Sequence, residues 1–363
     1  MKESIRTFTN FRAFLDSLLT DIQSAEHHIH MQFFKFEDDS VGRMIGEVMS
    51  SRAKAGIPVR LLYDDFCCHK WRTLYRDLES KGVETVGYEP LFLPFFKRSN
   101  YYRNHRKTIV IDGRIAYLGG MNVAERYLNG LDWGCWRDTM IRIEGSSAGG
   151  VQLSFLTDWN TASKQMVNGC EYYPLGDDRS ESPVEIITSN PISKSYCIMD
   201  KTIEIIDSAE HYIWFESPYF IPPREVKRSM LAAVRRGVDL RILQPPRGDR
   251  GETTQLATKQ HYAEFLEAGA KIGHYDKGYL HAKTIVCDDR VAMIGSCNID
   301  PRSYRLCHEI AAVIHDETCV KEQRDIFLDD EGCSTYIDLS EWKKRPVIQK
   351  IKEKLASVIS SQL

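Results

Sequence analysis

The chain has 363 residues, with 48 Lys plus Arg against 51 Asp plus Glu and a formal net charge of −3. This balance argues against a dedicated nucleic-acid binder, which usually carries a basic excess. No window approaches the ~20 apolar residues of a membrane span, and the N-terminus has no apolar export core, so a soluble or peripheral protein is expected.

In chain order, the first clear element is a helix carrying Phe11, Phe14, Leu15, Leu18, Leu19 and Ile22 at spacings of three and four. A strand follows near His28 to Phe33, then a second helix, then a strand ending near Tyr63. The same order returns later. Residues 24–36 match 208–220, and 55–63 match 236–244. Strands that alternate with helices predict mainly parallel sheets with helices outside. The expected architecture is α/β. It has two lobes related by a pseudo-twofold axis, each a mixed, mostly parallel sheet flanked by helices, with the site at their interface. Their expected limits are residues 1–165 and 184–363, with a seam in the polar, Gly- and Pro-containing stretch near 163–183. His27, His28 and His30 invite a metal reading, but the second half has Tyr212 and Trp214 at the last two positions, so sheet packing is expected instead. The ten cysteines include no Cys-x-x-Cys pair, which fits a reduced, intracellular chain.

The chemistry is written twice. His105, Lys107, Asp112 and Asn122 recur in register as His281, Lys283, Asp288 and Asn298, with Gly119 and Gly120 answered by Gly295 and Ser296. Residues two apart on a strand share a face, so each half should present an imidazole and an ammonium together. Two lysines with Asn122, Asn298 and the Ser296 hydroxyl can hold the non-bridging oxygens of a phosphodiester. One neutral histidine can attack phosphorus, and the other can protonate the leaving alkoxide and then deprotonate the incoming hydroxyl. Each needs a carboxylate to orient it. Asp138 and Glu309 occupy corresponding positions downstream of the two motifs and are the expected partners, each for the histidine of its own half or, exchanged across the interface, for that of the other. Asp112 and Asp288 read better as braces for strand ends than as groups that touch substrate.

The doubled pattern resembles the phospholipase D superfamily, whose paired His-Lys-Asp motifs build one phosphodiester-processing site. The wider sequence is similar to bacterial cardiolipin synthases in residues 102–113, 119–122, 136–139, 217–223, 237–243, 278–283 and 298–304, and the likeness covers nearly the whole chain. It implies transfer of a phosphatidyl group between two phosphatidylglycerols, giving cardiolipin and glycerol through a phosphohistidine. By analogy His105 is the nucleophile and His281 the general acid/base, and Asp112 and Asp288 are counted in the catalytic motif. The alternative is a phospholipase D or nuclease-type phosphodiesterase that passes the group to water. No cofactor and no metal are expected. The expected partners are phosphatidylglycerol and an anionic membrane surface, without nucleic acid, and the expected place is cytoplasmic, peripheral on the inner face of the cell membrane. The chain departs from the family pattern at Asp65, Phe66, Cys67 and Cys68, at Cys307 and His308, and in lacking two leading membrane-spanning helices. The apolar run from Leu91 to Phe96, followed by Lys97 and Arg98, reads equally as an interfacial wedge and as a buried acyl-chain wall. A C-terminal helix with Ile348, Ile351, Leu355 and Ile359 on one face is expected to pack on the second lobe.

Overall fold

The computed structural model describes residues 3–88, 101–174, 182–248 and 253–346. The run 91–98 and the helix expected over 347–359 lie outside the described residues.

The first half contains β1 (Ser4–Phe8), α1 (Phe11–Ser24), β2 (Ile29–Phe33), α2 (Ser40–Lys54), β3 (Val59–Asp64), α3 (Asp65–Cys68), α4 (Arg72–Ser80) and β4 (Glu84–Tyr88). It continues with β5 (Arg103–Asn104), β6 (Thr108–Ile111), β7 (Ile115–Gly119), α5 (Arg126–Asn129), β8 (Cys135–Arg137), β9 (Met140–Glu144) and α6 (Ala148–Ser163). The second half contains β10 (Val184–Ser189), α7 (Cys197–Ser208), β11 (Tyr212–Glu216), α8 (Arg224–Arg235), β12 (Asp239–Gln244), α9 (Thr253–Ala268) and β13 (Lys271–Tyr275). It ends with β14 (Gly278–Leu280), β15 (Thr284–Cys287), β16 (Val291–Gly295), α10 (Pro301–Leu306), β17 (Cys307–Ile314), α11 (Glu317–Glu331), β18 (Ser334–Tyr336) and α12 (Leu339–Lys343).

Local chemistry explains the starts of these elements. Asn10 caps α1 by accepting the N–H groups of Arg12 and Ala13, and the face Phe11, Phe14, Leu15, Leu18 and Ile22 is buried as its spacing predicts. Asp39 does the same for α2 through Val41 and Gly42. His28 and His30 are buried, the first against Tyr172 at 4.9 Å and the second against Phe155 at 4.5 Å between ring centres, and both bond Gln152.

The first sheet runs β1-β9-β7-β6-β2-β3-β4 and the second β10-β17-β16-β15-β11-β12-β13-β18. The sheets are mixed and flanked by helices, as expected, but they are not mostly parallel. Within these two orders only β2-β3-β4 and β11-β12-β13 are parallel runs. There α2 and α8 supply the crossover that parallel neighbours need. The hairpins β6-β7 and β15-β16 close through turns in which Asp112 and Asp288 take left-handed φ values of 54° and 52°, and tight turns make antiparallel pairs.

Alternation along each strand builds three cores. Ile109 and Ile111 of β6 face α1 and α2, whereas Val110 faces the other lobe. Likewise Ile285 and Cys287 of β15 face α7 and α8, and Val286 faces inward. The central core therefore lies between the two sheets, where Val110, Leu118 and Ile141 meet Val286, Ile294 and Ala312. The layers are helices, sheet, sheet, helices. Among the described residues no helix is long and apolar enough to cross a membrane.

Two short strands cross between the lobes. Arg103 and Asn104 of β5 pair in parallel with Cys307 and His308 at the start of β17. Gly278, Tyr279 and Leu280 of β14 pair in parallel with Cys135, Trp136 and Arg137 of β8. These pairings set the register of everything that follows.

Candidate active site

His105 and His281 come one residue after β5 and β14, so each continues a ladder that belongs to the opposite lobe. The His105 N–H donates to the His308 carbonyl at 3.0 Å, and the His281 N–H to the Arg137 carbonyl at 2.6 Å. The next residue on the partner strand is then Glu309 in one case and Asp138 in the other. His105 Nδ1 lies 3.0 and 3.2 Å from the two Glu309 oxygens, and His281 Nδ1 lies 2.6 Å from Asp138 Oδ2. Each imidazole is thus oriented by an acid from the other half. A carboxylate can only accept, so Nδ1 carries the proton and Nε2 is left with a lone pair.

The step His105-Arg106-Lys107 joins β5 to β6 and is not itself strand, which corrects the expectation of a strand face shared by His105 and Lys107. The Lys107 and Lys283 ammonium groups fold back onto the carbonyls of His105 and His281. Lys283 Nζ is also 2.9 Å from His281 Nδ1, and Lys107 Nζ sits 5.2 Å from the Phe34 ring centre. Both lysines lie buried behind the histidines.

The two orienting acids are held differently. Ser296 Oγ donates to Glu309 Oε2, and its own oxygen accepts the Ile310 N–H at 3.0 Å. Its proton is committed, so direct phosphate binding by Ser296 is not what the structure shows. In the first half the equivalent Gly120 leaves room for Asp138, because a Cβ there would sit 2.0 Å from Asp138 Oδ1. Asp138 instead accepts the Thr139 N–H at 2.8 Å. Asn122 lines the cavity but is engaged at both ends, accepting the Lys35 N–H at 3.0 Å and donating to Tyr127 Oη at 3.0 Å. Asn298 also lines the cavity, and its buried Oδ1 has no hydrogen-bond partner among the described residues.

Asp112 and Asp288, the last members of the doubled motif, do not reach the cavity. Asp112 accepts the N–H groups of Glu26, His27 and His28 at 2.8–2.9 Å. Asp288 accepts those of Glu210, His211 and Tyr212 at 2.7–3.0 Å. They fasten the hairpin turns to the starts of β2 and β11. Counting them as catalytic is therefore corrected, while reading them as braces matches their place.

Burial sets the protonation of the site. It lowers His105 to about 4, with Lys107 adding to the effect and Glu309 opposing it. It lowers His281 to about 3, reinforced by Lys283 and opposed by Asp138. Burial also lowers Lys107 to about 7, against the pull of Glu309. For Asp138 and Glu309 burial favours the neutral acid, but the nearby lysines, histidines and hydrogen bonds outweigh it and keep both below the usual carboxylate range. At neutral pH the site holds two neutral imidazoles, each on a carboxylate.

Sequence reasoning missed the supports beneath. Arg106 donates to Asp158 at 2.6 Å and to the carbonyls of Glu309 and Ser189, tying the lobes together. Asp158 also accepts from Gln32 and Asn104. In the second half Arg137 meets Asp330 at 2.7 Å and donates to the Asp138 carbonyl at 2.7 Å, with Glu216 at 3.9 Å. Burial and Asp330, opposed by Arg137, push Glu216 up to about 8, so it holds a proton at neutral pH. Removing one partner of such a buried pair typically costs about 3–5 kcal/mol. The available signal was polar residues at inward positions of apolar strands, such as Gln32 and its counterpart Glu216.

The histidines face a cavity of about 410 Å³, lined by Phe34, Asn122, Tyr127, Trp136, Tyr219 and Asn298 among others. Its walls are not alike. Phe34 stands 4.7 Å from His105, while Trp136 and Tyr279 stand 5.2 and 5.8 Å from His281, centre to centre.

A family model described as cardiolipin synthase, PLD-like domain, matches residues 18–165 and 202–330. A cardiolipin synthase of Geobacillus kaustophilus (strain HTA426) is 34% identical over 359 residues, spanning 98% of this chain and 71% of that protein. A cardiolipin synthase of Staphylococcus aureus (strain Mu50 / ATCC 700699) is 34% identical over 360 residues, spanning 98% and 73%. The crystal structure of phosphatidylserine synthase from Haemophilus influenzae Rd KW20 aligns with a TM-score of 0.76 over 99% of this chain and 95% of that one, at 14% identity, a likeness of fold. Matched over most of its length by the family model and nearly end to end by relatives one-third identical, the chain belongs to the cardiolipin synthase family of phospholipase D-like proteins.

Proposed function

We propose that the chain is a cardiolipin synthase, a phosphatidyltransferase that joins two phosphatidylglycerols and releases glycerol. The observation that carries this reading is the crossed pair of neutral, carboxylate-oriented histidines at one cavity, in a chain of this family. Two lobes, residues 1–165 and 184–363, share that single site. We assign His105 as nucleophile. Its Nε2 attacks phosphorus and the bond to the glycerol oxygen breaks, giving phosphatidyl-His105. His281, which takes up a proton from solvent at Nε2 as the anionic substrate binds, gives it to the departing oxygen and returns to the neutral form. The acceptor hydroxyl then attacks phosphorus, His281 takes its proton, and the P–N bond breaks. The anion brought by the substrate offsets Lys107 and Lys283, which lifts the proton affinity of His281 when it must act as an acid. Lys107 and Lys283 supply the positive field from behind the imidazoles. Asn298 has a free acceptor for a substrate hydroxyl. The lipid substrate places the enzyme on an anionic membrane surface, which we take to be the inner face of the cell membrane.

Purified protein with phosphatidylglycerol vesicles and a chelator is expected to release one glycerol per cardiolipin formed, followed by lipid mass spectrometry and a glycerol assay. Phosphatidic acid without cardiolipin would make water the acceptor and return the hydrolytic reading.

The protonation states predict a bell-shaped kcat/KM for the free enzyme. Lys107 loses its charge as pH rises through about 7, so the rate falls on that side. His105 gains a proton as pH falls through about 4 and can no longer attack. A pH series of initial rates checks both limbs, and Lys107→Arg should move the upper limb well above neutrality because the guanidinium stays charged.

A further inference from the structure

The two walls of the cavity differ in a way that the chemistry of the acceptor explains. Water or a simple alcohol brings no charge. A phosphatidylglycerol acceptor brings a second phosphodiester anion, three carbons from the hydroxyl that reacts. The field that Lys107 and Lys283 supply from behind the imidazoles is already offset by the reacting phosphate, so a second anion needs its own cations. On the reading above, the acceptor arrives beside His281. Two arginines stand on that side. Arg126 lines the cavity and lies 5.4 Å over Trp136, whose ring is in turn 5.2 Å from His281. Arg247 lies 4.2 Å over Trp133, which packs edge-on against Tyr279, and Tyr279 stands beside His281. Gly248, next to Arg247, lines the cavity.

The two guanidinium groups are committed to different degrees. Arg126 is paired with Glu37, which fixes its position and offsets part of its charge. Arg247 is exposed and makes no ion pair among the described residues. Each guanidinium is pre-aimed by an indole face, which limits the entropy lost when it closes on an anion. The loop that carries Arg247 follows β12. Its counterpart after β3 carries Phe66, and the arginine over that ring, Arg103 at 5.3 Å, is buried against Asp64 at 3.4 Å, so the exposed cation belongs to one side only.

We infer that Arg247 and Arg126 form a subsite for the phosphate of the acceptor lipid, which favours a lipid acceptor over water at the same intermediate. This rests on the cardiolipin synthase reading and on His281 as the acid/base.

The test is a partition ratio, because both products come from one phosphohistidine. Full-length protein acts on phosphatidylglycerol vesicles with ethanol present, and cardiolipin, phosphatidylethanol and phosphatidic acid are measured together. Arg247→Gln, at an exposed position that the fold does not depend on, is expected to lower the ratio of cardiolipin to phosphatidylethanol roughly tenfold, the worth of one charge-assisted contact. Arg247→Lys should recover part of it. Arg126→Gln should act in the same direction, and Arg302→Gln, its counterpart on the other wall, should leave the ratio near wild type. Equal losses of cardiolipin and phosphatidylethanol in Arg247→Gln would overturn the subsite while leaving the synthase reading intact. A ratio that moves in Arg302→Gln and not in Arg247→Gln would place the acceptor over His105 and overturn it as well. Wild-type protein that makes phosphatidylethanol but no cardiolipin would overturn the synthase reading and the subsite with it.

Discussion

His105→Ala and His281→Ala are each expected to lower cardiolipin formation by roughly 10⁵-fold, to the background of the assay, with the fold unchanged by circular dichroism. Each imidazole side chain is only 12% exposed and is fixed by one carboxylate, so a small replacement leaves no group able to substitute for it. The two variants should fail at different steps. Without His105 no covalent intermediate forms. Without His281 the attack on phosphorus remains possible, but the glycerol oxygen departs unprotonated and the acceptor is not deprotonated. A donor whose leaving group needs no proton, such as phosphatidyl-p-nitrophenol, should therefore give one burst of nitrophenolate with His281→Ala and none with His105→Ala. Bursts from both variants would remove the division of labour between the two halves.

Glu309→Gln and Asp138→Asn should each cost roughly 10⁴-fold, because an amide can present its NH₂ to Nδ1 and stabilise the tautomer in which Nε2 holds the proton. The crossed geometry makes a sharper statement. Asp138 lies 143 residues before the histidine it serves, and Glu309 lies 204 residues after its own. Imidazole nitrogen NMR is therefore expected to show a changed Nδ1 resonance for His281 alone in Asp138→Asn, and for His105 alone in Glu309→Gln. The reverse pattern, each acid acting on the histidine of its own half, would contradict the register of β5 with β17 and of β8 with β14.

Much of this was legible in the residues because chemistry repeats in register. The copies of His, Lys and Asn pointed to one shared site, and the helical face from Phe11 to Ile22 is buried as its spacing required. The positions of Asp138 and Glu309 identified them as the orienting acids. The sequence left open whether they serve their own half or exchange across the interface. The exchange depends on β5 and β14, strands of two and three residues, too short to carry a periodic signal. The mainly antiparallel sheets were misjudged because buried hairpin strands such as Thr108–Ile111 are apolar on both faces and look like parallel ones. Ser296 was assigned to substrate because a hydroxyl beside the motif can serve either phosphate or a carboxylate, and only the fold places Glu309 against it. The Arg106–Asp158 and Arg137–Asp330 pairs join residues far apart in sequence whose types alone do not declare a partner.

On this mechanism the two halves form one site that works through a covalent histidine. The most direct measurement is intact-protein and peptide mass spectrometry of His281→Ala quenched in acid-free conditions after mixing with phosphatidyl-p-nitrophenol. A mass gain of one phosphatidyl group per chain is expected, located on the peptide that contains His105 and absent from the His105→Ala, His281→Ala double variant. A mass gain that persists in the double variant, or no gain while nitrophenolate is still released, would contradict this mechanism.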